Sequence, residues 1–275
     1  MNYTEDQQRN LGMLDESIGD VDQNTAGYLK RHLFQVFAFF GITIVIEIVL
    51  FFSGLTNYEI YILPLIIPII GYRIISGRVQ HEFMQQFSIH KGFTYLPKGN
   101  LDGLDGNLFQ IGYNRLVTDV IKGEYKNCPM TLLTYSYVSQ NNRYSQTYTY
   151  TVFELQFKTK MPNILLQKIS DSYEESFEKC FDGDILKLEG DFNKYFTVNV
   201  AKGYELEALE VFTPDVMADL IDKAKNFSLE IVNDHLFIYA HKIISTKKEL
   251  IEFYDLAQYF VEKLGPVLSK IKVSA

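Results

Sequence analysis

From Leu33 to Leu55 the chain reads LFQVFAFFGITIVIEIVLFFSGL. A helix rises about 1.5 Å per residue, so this run spans roughly 34 Å, enough to cross a hydrocarbon core near 30 Å. Only Gln35, Thr43 and Glu47 interrupt it. A helix in the core of a soluble domain shows a polar face with a period of about 3.6 residues, and no such face is present here. The run therefore predicts a membrane crossing, makes a lipid bilayer the first expected partner, and fixes the setting of everything that follows it.

A short turn over Thr56–Glu59 leads to a second apolar stretch, IYILPLIIPIIGYRII, from Ile60 to Ile75. At about 24 Å of straight helix it is short for a bilayer. Tyr58, Tyr61 and Tyr72 are suited to the interfaces, and Arg73 and Arg78 can snorkel to headgroups. Pro64 and Pro68 each remove a backbone donor and predict a kink. Residues 30–78 are thus expected to form a transmembrane hairpin with helices at about 33–55 and 60–75; a re-entrant second segment is the alternative. Lys30 and Arg31 precede the first helix, Arg73 and Arg78 close the second, and the turn carries only Glu59. By the positive-inside rule both ends face the cytoplasm, which predicts an inner-membrane protein with a cytosolic domain. Residues 1–29 hold six acidic residues against Arg9, unlike a secretory signal, and read as an acidic, disordered tail. Glu47 is the pointed residue of the hairpin. An ionisable group at mid-bilayer costs about 3 kcal/mol on insertion scales and is a functional candidate by default. A protonated Glu47 donating to the carbonyl of Pro64, or to a second copy of the hairpin, would satisfy it; a carboxylate in a water defect is the bland alternative.

The net charge of −8 and the lack of clustered Lys and Arg after the hairpin speak against nucleic acid. Cys128 and Cys180 stand far apart without a CxxC spacing and read as reduced thiols; a disulfide between them is the less favoured alternative. His81-Glu82 begins a metalloprotease signature but lacks the second His, and Asp102–Gly106 lacks the alternating ligands of a calcium loop. No metal, cofactor or catalytic residue is predicted.

Residues 79–275 predict an α+β domain with a mainly antiparallel sheet and late helices. Val79, Phe83 and Phe87 recur four apart, which predicts a helical stalk continuing inward from the second crossing, with Gly77 as its hinge. Leu108 to Phe157 is rich in β-branched and aromatic residues, with Asn141–Arg143 at the tip of a long hairpin. Phe153, Leu155 and Phe157 define one side of the returning strand, and Tyr148 and Tyr150 fall on the other. With Tyr135, Tyr137 and Tyr144 these tyrosines read either as cross-strand packing or as a partner surface. Further strands are expected at Ile164–Ile169, at Phe192–Val200 and in the hairpin turning at Asn233-Asp234. Thr213-Pro214 opens a helix to about Lys225, and Thr246 with Glu249 forms a capping box for the last helix.

The run from Phe181 to Lys242, with the earlier YNRLVTDVIKGEYKN, resembles an uncharacterised bacterial family of membrane-anchored domains with N-terminal transmembrane helices. The positions that carry the resemblance are Phe192, Tyr195, Phe196, Val198, Thr213, Pro214, Met217 and Phe237; Asn193 before Lys194 departs from the pattern. The resemblance covers about 160 residues from Asn114 onward. It implies two transmembrane helices with a cytosolic α+β domain, and no assigned activity. It also implies genes often neighbouring those of LemA-type membrane proteins, hence a role in a membrane complex.

The leading expectation is a membrane-anchored cytosolic binding or scaffold domain that meets a protein partner or a second copy of itself. A membrane-bound enzyme is the alternative, using Asp119 near His235 or His241, or a Cys128 or Cys180 nucleophile. A channel or transporter subunit using Glu47 is the third.

Overall fold

The structure, a computed structural model, describes residues 27, 30, 32–35, 37–38, 40–49, 52, 63–141, 144–169, 181–244, 246–268 and 270. The apolar run forms a helix, α1, described over His32–Val49. Long apolar side chains with little rotamer freedom to lose favour it, and Thr43 Oγ1 bonds back to the Phe40 carbonyl inside the helix at 2.8 Å. It is the one helix among the described residues that is long and apolar enough to cross a membrane.

The second apolar stretch and the stalk are one element. α2 runs without interruption from Leu63 to Lys91, 29 residues, through Pro64, Pro68 and Gly77. The stalk continues from the second apolar stretch as expected, without the hinge at Gly77; residues 60–62 lie outside the described residues. A proline costs a helix least in its first turns, where no intrahelical donor is needed. Gly77 has no neighbouring atom within 4 Å of where a Cβ would stand, so nothing there forces a break.

From Gly92, at φ 67, the chain reverses into a sheet of nine strands among the described residues, every ladder antiparallel. The strands are β1 (Thr94–Lys98), β2 (Tyr113–Tyr125), β3 (Cys128–Asn141), β4 (Tyr144–Gln156), β5 (Ile164–Lys168), β6 (Gly183–Leu186), β7 (Phe196–Ala201), β8 (Ser228–Val232) and β9 (His235–Ala240). Their order is β1-β2-β3-β4-β9-β8-β5-β7-β6. Lys126 and Asn127 both take positive φ in the two-residue turn joining β2 to β3, as a type I′ hairpin requires. In the β8–β9 turn Asn233 takes a positive φ of 56, a conformation asparagine tolerates.

Among the described residues α1 is followed by α2 as above, then α3 (Glu205–Val211), α4 (Pro214–Ala224), α5 (Lys247–Tyr259) and α6 (Gly265–Leu268). Thr213 caps α4, accepting from the Val216 amide. Thr246 accepts from the Glu249 amide, and its hydroxyl reaches back to Glu249 Oε2 at 3.0 Å. Both starts agree with the cap chemistry in the sequence. The helices lie on one face of the sheet, where Phe83, Met84, Phe87, Phe153, Leu155, Val198, Ile238, Phe253 and Leu256 form the larger core. The other face holds a second core of Leu133, Tyr135, Tyr137, Tyr150, Val152, Phe237 and Tyr239, closed by the segment carrying Leu104, Leu108 and Phe109. The domain is therefore α+β with a sheet buried on both sides.

Candidate functional site

The first candidate is the anchor. On α1, Phe34, Phe37, Val45 and Val49 are 60–75% exposed, and among the described residues none of the stretch His32–Val49 is buried. At about 25 cal/mol per Å², an apolar helix left in water forfeits several kcal/mol that burial in lipid recovers. Glu47 lies within this helix, and its Oε1 is shielded and accepts no hydrogen bond among the described residues. An unpartnered polar atom shielded from water costs free energy until it finds a donor. Lys30 is exposed at the start of the same region, and Arg78 is exposed on α2. Pro64, Pro68 and Arg73 lie in the first half of α2, and Arg31 lies outside the described residues.

The second candidate is the joint between α2 and the sheet. β2 bulges between Thr118 and Ile121, and Asp119 sits in the bulge at φ 52, a conformation that L-residues rarely adopt. The bulge turns its carboxylate toward the helix: His81 Nδ1 lies 2.7 Å from Asp119 Oδ1, and the Tyr95 hydroxyl donates to the same oxygen at 2.7 Å. Beside them Gln80 Nε2 donates to Thr134 Oγ1 at 2.6 Å, with both residues buried. Burial, with Asp119 next, pushes the Tyr95 hydroxyl far above its usual range, so it stays a donor at every physiological pH. Asp119 does meet a histidine, but that histidine is His81, and β3 and β4 separate its strand from β9, which carries His235. The expected grouping of Asp119 with His235 or His241 is thus replaced. Functionally, the trio fastens α2 to β1 and β2.

The third is a buried carboxyl under the Leu104–Phe109 segment. Glu230 is 0% exposed. The Asn107 amide donates to both of its oxygens at 3.0 and 2.9 Å, the Asn107 side chain reaches Oε1, and the Tyr239 hydroxyl donates to Oε2 at 2.6 Å. Burial pushes the Glu230 carboxyl up, against the pull of Tyr239 and Asn107. A Cβ on Gly106 would collide with the Tyr239 hydroxyl, so only glycine permits this close approach. Nearby, His235 Nδ1 lies 2.8 Å from Glu154 Oε1, and that contact raises the His235 pKa.

The tyrosines resolve into packing. Tyr135 pairs with Tyr150 and Tyr137 with Tyr148 across β3 and β4, and all four are at most 6% exposed. Tyr137 stacks on Tyr148 at 5.3 Å, and His241 stacks on Tyr150 at 4.8 Å. A surface open to a partner is not what these four form, because the covering segment and neighbouring rings enclose them; Tyr144 alone stands out, 80% exposed. Cys128 is a free, half-buried thiol whose pKa burial raises, the opposite of an activated nucleophile. Cys180 lies outside the described residues. Among the described residues no cluster of His, Cys, Asp and Glu is arranged to hold a metal ion. An apolar cavity of about 20 Å³ lies between the sheet and the late helices, lined by residues such as Leu166, Phe212, Leu220 and Phe260.

Sequence reasoning missed Glu230, Asn107, Gln80 and Tyr95. Glu230 alternates with Leu229 and Ile231, and so reads as solvent-facing unless the second face is known to be covered. No protein-family model matches the chain, and no curated protein matches it. Among solved structures, the crystal structure of the mycobacterial trehalose monomycolate transport factor A, TtfA, is similar in fold. The TM-score is 0.52 at 14% identity, over 72% of this chain and 99% of the other. That likeness concerns the fold.

Proposed function

We propose that the chain is a membrane-anchored scaffold: α1, with the apolar half of α2, holds it in the inner membrane, and the α+β domain serves on the cytosolic side as a binding module in a membrane assembly. The observation that carries the reading is α1, an 18-residue apolar stretch with mean hydropathy 2.0 that the described residues leave uncovered. Lys30 and Arg31 before it, and Arg73 and Arg78 after the second stretch, support cytosolic placement of both ends. The polar groups of the domain support binding over chemistry: Asp119 with His81 and Tyr95, and Glu230 with Asn107 and Tyr239, are engaged in joining elements. The fold shared with a protein named for the transport of trehalose monomycolate is compatible with work at a membrane.

Glu47 supports an assembly of more than one hairpin, since its Oε1 is shielded and unpartnered among the described residues. The test is the mass of the full chain extracted from its own membranes in a mild detergent. The expected result is a stoichiometric complex, with a second protein or with further copies, that Glu47→Leu weakens. A single 31.9 kDa chain in a micelle, unchanged by that substitution, would overturn the scaffold reading.

A further inference from the structure

The direction of α2 relative to the sheet places one end of the domain against the membrane. Gln80 meets Thr134, and Phe87, two helical turns further on, meets Phe93 and Tyr254 near the opposite end of β2. α2 therefore runs parallel to β2 and β4 and antiparallel to β3. Going back toward its apolar half means going toward the start of β2, the end of β3 and the start of β4. From Thr134 to Asn141, β3 advances about 23 Å. Over the same number of residues, α2 retreats from Gln80 to Arg73 by only about 10 Å. The end of β3 and the start of β4 thus extend at least as far toward the apolar half of α2 as Tyr72 and Arg73, the residues suited to the interface.

The surface at that tip matches what it would meet. Tyr144 is 80% exposed, Leu116 50% and Tyr113 42%, and Arg115 is exposed beside them. The Tyr113 hydroxyl lies 3.3 Å from Ser145 Oγ, so the start of β2 and the start of β4 form one end. The chain carries 34 acidic residues, yet none falls in 113–118 or in 136–151. Tyrosine, a basic side chain and freedom from carboxylates are the composition of a headgroup interface facing anionic lipid.

We infer that this end of the sheet, built from Tyr113, Arg115, Leu116 and Tyr144, is a lipid-contact surface that rests in the headgroup layer of the membrane holding the anchor. The inference rests on the anchoring reading above. With the helix root and the hairpin tip both held, the domain is fixed in orientation on the bilayer instead of swinging on a tether.

The chain contains no tryptophan, so a single introduced one reports alone. Three full-length variants are reconstituted in vesicles of phosphatidylcholine with a minor share of phosphatidylglycerol, brominated near the tops of the acyl chains. Phe37→Trp reads the anchor, Tyr144→Trp the hairpin tip, and Glu124→Trp the far end of β2, about 36 Å from Tyr113. The expected result is loss of emission for Phe37→Trp and Tyr144→Trp relative to unbrominated vesicles, and no loss for Glu124→Trp. Quenching of Phe37→Trp without Tyr144→Trp overturns the lipid-contact surface and leaves the anchor standing. Equal quenching of Tyr144→Trp and Glu124→Trp overturns it as well, since the domain then has no preferred end. Absence of quenching for Phe37→Trp removes the anchoring reading, and the inference with it.

Discussion

At the scale of single residues, buried polar groups decide how the domain holds together. Glu230→Ala strips the Asn107 amide and the Tyr239 hydroxyl of their acceptor and leaves a void, which should cost about 2–4 kcal/mol. Glu230→Gln keeps the shape and an acceptor, and should cost about 1 kcal/mol. Urea unfolding of both variants in detergent checks the ordering; an equal loss would show that the hydrogen bonds contribute nothing beyond volume. Asp255 gives a pH signature. Burial, helped by Glu252 and opposed by Lys223, pushes its carboxyl up to about 6 from 3.8. The folded state then holds a proton that the unfolded state has lost, so stability falls as pH rises from about 4 to 6, and the penalty is complete above that window. Asp255→Asn should therefore stabilise the domain at pH 8 by up to about 1 kcal/mol, after allowance for solvent screening, and should lose this advantage at pH 4. His235 works in the opposite sense: its pKa is raised, so its pairing with Glu154 helps below the usual histidine range and fades as pH climbs through the folded value.

At the scale of elements, the sequence was readable wherever an element advertises itself through a local rule. Thr213-Pro214 and Thr246 with Glu249 mark helix starts because a side-chain oxygen must meet the free amides of a first turn, and α4 and α5 begin there. The β3–β4 hairpin was legible from alternation. The continuity of α2 into the stalk was readable from the recurrence of Val79, Phe83 and Phe87, whereas the hinge at Gly77 does not form, because one glycine does not outweigh the cooperative gain of continuing a helix that already packs its C-terminal half on the sheet. β6 and α3 carry too few residues for periodicity to register. The joint at Asp119 was invisible because a bulge depends on pairing across strands, not on neighbours in sequence. Phe83 is fully buried where α2 meets the sheet, so Phe83→Ala should destabilise by about 3–5 kcal/mol and expose α2 first to limited proteolysis. Cleavage beginning instead in the late helices would place the weak point elsewhere.

At the scale of the whole molecule, a sheet buried on both faces follows an exposed apolar helix, and the proposed anchoring divides the chain between water and lipid. The second buried face explains why the tyrosines of β3 and β4 are ordered packing, and why Glu230 survives inside: Leu104, Leu108 and Phe109 bring water-excluding cover that no local sequence rule announces. The apolar stretch at His32–Val49 was legible at once, since its length and composition are those of a helix able to cross a membrane. The side of the membrane on which the domain lies rests on Lys30, Arg31, Arg73 and Arg78. Protease added to sealed right-side-out and to inverted membrane vesicles, with an alkaline carbonate wash of a separate portion of the same membranes, tests both parts together. The account predicts that the chain stays in the washed membranes, and that its C-terminal domain is digested only in inverted vesicles. Release of the intact chain by carbonate, or digestion from the outside, would contradict it.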